Sequence, residues 1–392
     1  MKEISMRASS LPLTAALKVD VQAKKLMSEG RSIINFSVGE PDFPTPQTVC
    51  ASAHEAIDKG VTKYTHASGT VELKQAVADK YREKYGLDYS LKEIAITTGG
   101  KYAVYAAICA IADPGDEIIL PAPYWTSYYH IIKLAGAVPV VIETSFDTGF
   151  KVTPEMIKAK ATQKTKAVII NNPNNPSGAF YREDELIALG KVISELDLYV
   201  ISDEIYDSFV FTDDKFVSLP SLSEDMRART VLISGVSKAY AMTGWRIGFA
   251  MGNAKIISAI SAILSHTTGS PNAISQAAAV TALETVDPAP MCAEFKKRSE
   301  LLTRGLSGLE GLRFPIPEGA FYLILCPDGK LKEKYPTGTG FSMALLENAG
   351  VATVPCEDFG LKCAVRISYS IATVDVIEGI RRIREFIIDQ VK

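Results

Sequence analysis

The chain has 392 residues, 47% of them hydrophobic and 22% charged, which is enough material for two domains. A formal net charge of -3 gives no basic surface for nucleic acid, so we expect no nucleic-acid partner. No apolar run approaches the roughly 18 residues that span a bilayer, and the N-terminus makes a poor signal peptide. We therefore expect a cytoplasmic protein without a membrane partner.

From about residue 93, short apolar runs rich in β-branched residues alternate with helical patterns. Strands of this kind are covered on both faces, so the pattern predicts an α/β fold with a mostly parallel central sheet sandwiched by helices. Between two of these runs, REDELIALGKVISEL predicts an amphipathic helix. The predicted strands are EIAITT, DEIIL, AVPVVIET, KAVIINN, LYVISDE and TVLISG.

The character of the chain changes near residue 290, where charged helical segments flank the strand-like GAFYLILC and CAVRISYS. This mixture predicts a smaller α+β domain. We expect an N-terminal segment at 1–45 that packs with it, a large domain at 46–288 and a small domain at 289–392. A cleft between the domains is the expected place for a substrate.

The polar and glycine-rich segments of the chain directly follow predicted strands. They are TGGK, NPNNPSG, DEIY and GVSK. Ligands of parallel sheets gather at the carboxyl ends of the strands, so these four segments are expected to share one site.

Thr98, Gly99 and Gly100 end a predicted strand and open directly into a helix. The free N–H groups and dipole of that helix suit a phosphate, although a glycine-rich turn without a ligand explains the same residues equally well. Lys101 favours the phosphate, because a cation in the first turn of a helix is otherwise disfavoured.

Asp203 stands where a buried strand ends, and a carboxylate there needs a cationic or protonated partner. Tyr206 can place a phenol in the same pocket, whereas Glu204 is expected to be an exposed charge in a loop. Asn175 lies in a segment that is a turn by composition, so its role depends on what surrounds it.

Lys238 follows Ser237 in SGVSKAYAMTGWRIGFA, with Arg246 eight positions on and no acid between the two cations. A lysine whose pKa is lowered by burial and nearby positive charge can form a Schiff base. Arg246 and Ser237 can bind a phosphate, and Asp203 can pair with a protonated pyridine nitrogen. This combination indicates a site for pyridoxal 5'-phosphate.

The six cysteines lie apart, without a CxxC pair, so a disulfide framework or a zinc site is disfavoured and no metal is expected. We expect the cysteines to be buried and to pack as small hydrophobic residues, in a protein of a reducing compartment. The positions are Cys50, Cys109, Cys292, Cys326, Cys356 and Cys363.

The sequence resembles the fold-type I, class I aminotransferases, and most closely their bacterial aspartate aminotransferase branch. The likeness covers nearly the whole chain and rests on an ordered set of motifs. These are SVGEPDF, KYTHASGTVELKQA, TTGGKYA, PAPYWTSY, NNPNNPSG, SDEIYDSF, SGVSKAYAMTGWRIGFA, GAFYLI and VRISYS.

The resemblance implies roles around the cofactor. Lys238 would form the Schiff base and move a proton, while Asp203 would keep the pyridine nitrogen protonated. Tyr206 and Asn175 would hydrogen-bond the ring oxygen, and Trp125 would stack on the ring, with Tyr124 left in the core. The phosphate would lie among Gly100, Lys101, Ser237 and Arg246.

The resemblance also implies partners. Tyr64 would reach the phosphate in the neighbouring subunit, which predicts a homodimer with shared active sites. Arg366 would bind the substrate α-carboxylate as a bidentate pair, helped by the backbone N–H of Gly39. Trp125 and Asn175 would also contact the substrate.

Two segments depart from the family pattern. Many relatives carry serine three residues before the lysine, where this chain has Gly235, and asparagine at the position of Ser234. The segment SLPLTAALKV at 10–19 matches only loosely the one that closes over substrate.

The expected reaction moves an amino group from aspartate to 2-oxoglutarate by a ping-pong cycle through pyridoxamine phosphate. The expectation of dicarboxylic substrates rests on Lys101, since this branch often keeps a lysine there that binds the side-chain carboxylate of aspartate or glutamate. Prephenate, aromatic amino acids and alanine remain alternative substrates. A pyridoxal-phosphate-dependent lyase and a catalytically silent regulatory module are more distant alternatives.

Overall fold

The computed structural model describes residues 3–9, 11 and 15–392. The helices of this part are α1 Met6–Ser9, α2 Ala15–Ser28, α3 Gln47–Asp58, α4 Val71–Tyr85, α5 Gly100–Ile111, α6 Ser127–Leu134, α7 Pro154–Lys160, α8 Glu183–Glu195, α9 Glu224–Arg229, α10 Ala254–His266, α11 Ala273–Thr285, α12 Ala289–Leu306, α13 Gly329–Lys334, α14 Gly338–Ala344 and α15 Thr373–Val391. The strands are β1 Ile34–Asn35, β2 Ile94–Thr97, β3 Glu117–Ala122, β4 Val138–Glu143, β5 Thr165–Asn171, β6 Tyr199–Asp203, β7 Thr230–Gly235, β8 Gly248–Met251, β9 Leu312–Arg313, β10 Tyr322–Pro327, β11 Val351–Ala352, β12 Val354–Pro355 and β13 Val365–Ser368.

Several helices begin at a residue whose side chain caps the first turn. Thr70 accepts a hydrogen bond from the backbone of Leu73 at the start of α4, and Asn272 caps α11 in the same way. The α4 helix ends at Gly86, whose φ of 68° is left-handed and is easily adopted by glycine. These caps satisfy backbone groups that the helix itself leaves free.

The central sheet has seven strands in the order β2-β8-β7-β6-β5-β3-β4. The strands from β7 to β4 run parallel, whereas β8 is antiparallel to both of its neighbours. The predicted mostly parallel sheet is confirmed. The strand β8 was not predicted from the sequence, because its four residues begin with glycine and carry no alternation of polar and apolar positions.

Helices cover both faces of this sheet, and β5 demonstrates the arrangement. Ala167 and Ile169 pack into one buried cluster with residues of α5, α6 and α10. Val168 and Ile170 point to the opposite face and pack with α7 and α8. Successive strand residues alternate between faces, so a run of apolar residues is what two covered faces require.

A second, antiparallel sheet has the order β12-β13-β10-β9. The segments GAFYLILC and CAVRISYS supply β10 and β13, as the sequence predicts. Near the N-terminus, β1 pairs in parallel with β11, so Ile34 lies opposite Val351. This pairing brings the segment that contains Gly39 towards the second sheet.

The pairing pattern gathers several chain segments at one edge of the central sheet. Asn171, Asp203 and Gly235 end the parallel neighbours β5, β6 and β7. Because β8 runs antiparallel to both β7 and β2, its first residue, Gly248, lies at the same edge as the end of β2 and the start of α5 at Gly100. All four polar segments singled out in the sequence therefore meet there.

Glu204 is predicted to be exposed, and this prediction is wrong. Its side chain is only 1% exposed. The carboxylate accepts hydrogen bonds from the Ser202 hydroxyl at 2.8 Å, the Ser218 hydroxyl at 2.7 Å and the Leu219 N–H at 3.1 Å. These donors replace water, but burial still raises the pKa of Glu204 to about 7.

The cysteines are less deeply buried than the sequence analysis expects. Only Cys356 is fully buried, and the other five are half-buried. In the described residues, no cluster of three or more histidine, cysteine or acidic side chains is arranged to hold a metal. Within the same part of the chain, no helix combines the length and apolarity needed to cross a bilayer.

Gly248→Ala should destabilise the protein by about 1–3 kcal/mol, because a Cβ atom there would lie 2.4 Å from the backbone nitrogen of Gly100. Gly244→Ala is the matched control, since nothing lies within 4 Å of a Cβ atom at that position. Urea unfolding of both variants measures the difference. Equal stability would show that the two backbones do not approach as closely as described.

Glu204→Gln should change the pH dependence of stability. Between pH of about 4.5 and about 7, the folded protein keeps a proton that the unfolded chain has released, so the free energy of unfolding falls as pH rises. Glutamine does not ionise, so the free energy of unfolding of the variant lacks this fall. The variant should therefore gain about 3 kcal/mol relative to the parent between pH 4 and pH 8.

Urea unfolding at a series of pH values measures this gain, with Glu333→Gln, an exposed position, as the control. A difference between Glu204→Gln and the parent that stays constant with pH would contradict a raised pKa for Glu204.

Candidate active site

A cavity of about 350 Å³ opens at the edge of the central sheet where the polar segments meet. Eleven of the twelve predicted site residues line it, and Tyr64 does not. The lining residues are Ser37, Gly39, Gly100, Lys101, Trp125, Tyr128, Asn171, Asn175, Asp203, Ile205, Tyr206, Ser237, Lys238, Thr243, Arg246, Tyr322 and Arg366.

Lys238 lies in the turn after β7 and is half-buried. Its Nζ donates a hydrogen bond to the carbonyl oxygen of Gly39 at 2.6 Å. Burial lowers the pKa of the amine to about 8; the Glu40 carboxylate opposes this shift, and the guanidinium groups of Arg366 and Arg246 add to it. A large share of the Lys238 amine is therefore neutral slightly above neutral pH, as a nucleophilic or basic amine must be.

Asp203 ends β6 and is 5% exposed. Its carboxylate accepts hydrogen bonds from the Tyr128 hydroxyl at 2.5 Å and the Ile205 N–H at 3.2 Å. Burial raises the pKa of Asp203 to about 6, and these two neutral donors and the charge of Lys238 reduce the shift. A cationic ligand atom at this carboxylate would be strongly favoured, since its present donors carry no charge.

The start of α5 provides a place for an anion. Gly99 has a φ of 82°, and a Cβ atom there would lie 2.3 Å from Nη2 of Arg246. Glycine thus lets the guanidinium group lie against the first turn of α5. Arg246 itself has a left-handed φ of 58° and donates from Nη1 to the Thr243 carbonyl at 2.9 Å. Together with the Ser237 hydroxyl, these groups form a set of donors suited to a phosphate.

An aromatic pair forms another wall of the cavity. The Trp125 ring meets the Tyr128 ring edge-on, with 5.2 Å between centroids. Lys101 places its Nζ 5.1 Å from the centre of the Trp125 ring. Burial and the charge of Arg246 lower the pKa of Lys101. Tyr124 is buried outside the cavity lining, as the sequence analysis expects.

Arg366 comes from β13 in the second sheet and is 5% exposed. Its Nη1 donates to Oδ1 of Asn175 at 3.2 Å, and its Nη2 donates to the carbonyl oxygen of Ser37 at 3.0 Å. The Nε atom is buried and has no hydrogen-bond partner within the described part of the chain. The guanidinium group therefore retains donor capacity for an anion such as a carboxylate.

Six lining residues were not predicted from the sequence: Ser37, Tyr128, Asn171, Ile205, Thr243 and Tyr322. Two of them carried a usable signal. Asn171 opens the Asn-Pro segment at the end of a predicted strand, and Tyr128 lies one helical turn after Trp125. Tyr322 carried none, because its hydroxyl partner Tyr206 is remote in the chain.

The departure at Gly235 has a steric reason. A Cβ atom there would lie 2.8 Å from the carbonyl oxygen of Ile247 and 3.0 Å from Cα of Gly248. The close approach of β8 therefore requires glycine at this position. Ser234 is buried within β7 and does not line the cavity.

Two predicted features lie away from the cavity. The side chain of Tyr64 is 99% exposed and borders a separate surface cavity with Lys63, Ser270 and Asn272. Of the segment SLPLTAALKV at 10–19, positions 10 and 12–14 lie outside the described residues. The expected roles of both features stay predictions.

The sequence model of the family "Aminotransferase class I and II" matches residues 31–383. An aspartate aminotransferase of Bacillus sp. (strain YM-2) is 39% identical over 99% of this chain and 100% of its own length. An aspartate/prephenate aminotransferase of Nitrosomonas europaea is 37% identical over 97% of this chain and 98% of its own.

Solved structures agree with these matches. The crystal structure of the Rhizobium meliloti aspartate aminotransferase superposes with a TM-score of 0.94 at 38% identity, over 100% of both chains. The Thermus thermophilus aspartate aminotransferase with maleate gives 0.92 at 36% identity, over 98% of this chain and 100% of that one. From its sequence, its fold and the composition of its cavity, the chain belongs to the class I and II aminotransferase family.

Proposed function

We propose that this protein is a pyridoxal 5'-phosphate-dependent aminotransferase that moves the amino group of aspartate to 2-oxoglutarate. The observation that carries the proposal is the cavity itself. It holds a lysine with a lowered pKa, a buried carboxylate with a raised pKa, and cationic groups on walls that come from two different sheets. A silent regulatory module has no need of such opposed pKa shifts in one cavity.

The donors of the cavity fit the cofactor. Asp203 would hold the protonated ring nitrogen, which supplies the positive partner that its buried carboxylate lacks. The first turn of α5, Ser237 and Arg246 would hold the phosphate, while Tyr206 and Asn175 would face the ring oxygen. When bound, pyridoxal 5'-phosphate supplies an aldehyde that condenses with amines and a ring that accepts the electron pair released at the substrate α-carbon.

Lys238 would carry the proton that the reaction moves. With a pKa of about 8, Nζ would accept a proton from the substrate α-carbon and deliver it to the carbon that was the aldehyde of the cofactor. Its hydrogen bond to the Gly39 carbonyl holds the free amine at one wall of the cavity. Arg366 would bind the α-carboxylate through the donor capacity that Nε retains.

The choice of dicarboxylic substrates rests on the other cations. Lys101 lies at the start of α5, and Arg246 lies in the connection before β8. Arg366 lies on β13 in the second sheet. Arg246 is assigned to the phosphate, which leaves Lys101 for a second carboxylate. One relative named aspartate aminotransferase and another named aspartate/prephenate aminotransferase support this choice. Prephenate remains a second candidate substrate.

We also propose the domain division at 1–45, 46–288 and 289–392, and a homodimer in which Tyr64 enters the partner subunit's site. The pairing of β1 with β11 supports grouping the N-terminal segment with the last part of the chain. The nearly complete exposure of the Tyr64 ring supports a role outside its own subunit.

Lys238→Ala should slow oxaloacetate formation from aspartate by a factor on the order of 10³ or more, because the general base is lost. Protein loaded with cofactor is mixed with aspartate alone, and oxaloacetate is counted per chain. Lys255→Ala, at an exposed position of α10, is the control. Retention of the full rate by Lys238→Ala would remove the basis of the proposal.

The same experiment separates the alternatives. An aminotransferase without an acceptor stops after about one oxaloacetate per chain and turns over only when 2-oxoglutarate is added. Continuous release of ammonia and a keto acid without an acceptor would assign a lyase instead. With phenylalanine or alanine in place of aspartate, release of phenylpyruvate or pyruvate at a rate equal to that of oxaloacetate would widen the substrate range.

Lys101→Ala should lower kcat/KM for aspartate by about 10–100-fold and that for alanine much less, because one charge-assisted hydrogen bond to the distal carboxylate is lost. Lys133→Ala is the matched control, since Lys133 also lies over an aromatic ring, Tyr129, but outside the cavity lining. Equal losses for aspartate and alanine would remove the reason for naming dicarboxylates.

A further inference from the structure

Tyr322 lies where three functional parts of the cavity meet. It is the first residue of β10 and is only 1% exposed. Its hydroxyl is 2.8 Å from the Tyr206 hydroxyl and 3.5 Å from the Gly39 carbonyl oxygen. The guanidinium carbon of Arg366 lies 4.7 Å from the centre of its ring. None of the roles assigned above uses this phenol.

The acceptors around the two phenols set the direction of their hydrogen bonds. The 2.8 Å contact between the two phenols fits either direction, but the Tyr322 hydroxyl has a second acceptor in the Gly39 carbonyl at 3.5 Å. With its proton directed to that carbonyl, the Tyr322 oxygen accepts from Tyr206. Burial keeps the pKa of Tyr206 well above its ordinary value, and the contact with Tyr322 raises it further. Tyr206 is therefore a protonated donor whose single proton is already engaged.

The same carbonyl oxygen also accepts from Nζ of Lys238 at 2.6 Å. A chain of hydrogen bonds thus runs from Tyr206 through Tyr322 to Gly39, where it meets the lysine. The Tyr322 oxygen also limits how far the Gly39 backbone can shift towards it, since a Cβ atom at Gly39 would lie 2.9 Å from that oxygen. Tyr322 consequently controls both where the Tyr206 proton points and how closely Gly39 packs.

We propose that Tyr322 is a positioning residue that competes with the cofactor for the hydrogen bond of Tyr206. This inference rests on the proposed function, in which Tyr206 donates to the ring oxygen of pyridoxal 5'-phosphate. A donor shared with Tyr322 stabilises the anionic ring oxygen less than an undivided donor does. The Tyr322 hydroxyl therefore sets the pH at which the bound cofactor changes its visible absorbance.

The test is a pH titration of the visible absorbance of the cofactor-loaded protein, with Tyr322→Phe as the variant. Removal of the hydroxyl frees the Tyr206 proton for the ring oxygen, whose anionic form gains stability, so the midpoint should fall by about 0.5–1 pH unit. Tyr369→Phe is the matched control. Tyr369 is also buried beside β13, but it does not line the cavity, and its midpoint should equal that of the parent.

A double-mutant cycle assigns the shift to Tyr206. In the Tyr206→Phe background, Tyr322→Phe should leave the midpoint unchanged, since no shared proton remains. A midpoint in Tyr322→Phe that equals the parent's or lies above it overturns the proposal, and so does a fall that persists without the Tyr206 hydroxyl. Absence of any visible absorbance from the loaded parent protein would overturn the proposed function, and this inference with it.

Discussion

The parallel pairing of β5, β6 and β7 is the constraint on which the site depends. It sets Asn171, Asp203 and Gly235 side by side at the strand ends, although they come from separate parts of the chain. The reversed strand β8 then returns the chain from this edge. The connection between β7 and β8 therefore lies at the cavity and contributes both Lys238 and Arg246 to its lining. Polar and glycine-rich loops from separate parts of the chain thereby form one site.

The electrostatics of the cavity follow from burial without full neutralisation. Burial raises the pKa of Asp203 to about 6 and lowers that of Lys238 to about 8, so each group is shifted towards its neutral form. Arg366 contributes a guanidinium group whose Nε has no hydrogen-bond partner among the described residues, and Arg246 contributes a second guanidinium group to the lining. A ligand that brings one protonated nitrogen and several negative oxygens would neutralise these groups together, which is the chemical basis of the proposed cofactor.

The parallel sheet and the position of Asp203 at the end of a buried strand could be predicted from the sequence, because both depend on local runs of apolar residues that stop at a polar one. The placement of Arg366 came only from resemblance, since a strand residue carries no sign of which loop it will face. Glu204 was misjudged because its donors include Ser218 and Leu219, which lie in a later loop. Tyr322 shows the same limit, since its partner Tyr206 belongs to the other sheet's loops and only the folded chain brings them together.

The position of β8 also bears on how the chain can assemble. In the described sheet, β2 has β8 as its sole neighbour, and Thr97 pairs with Gly248, which lies more than a third of the chain further on. Until the ribosome has released that strand, β2 has no partner and the first turn of α5 has no backbone against it. The end of the cavity at α5 therefore cannot form before residue 248 has been made, and its assembly depends on a contact of long sequence separation.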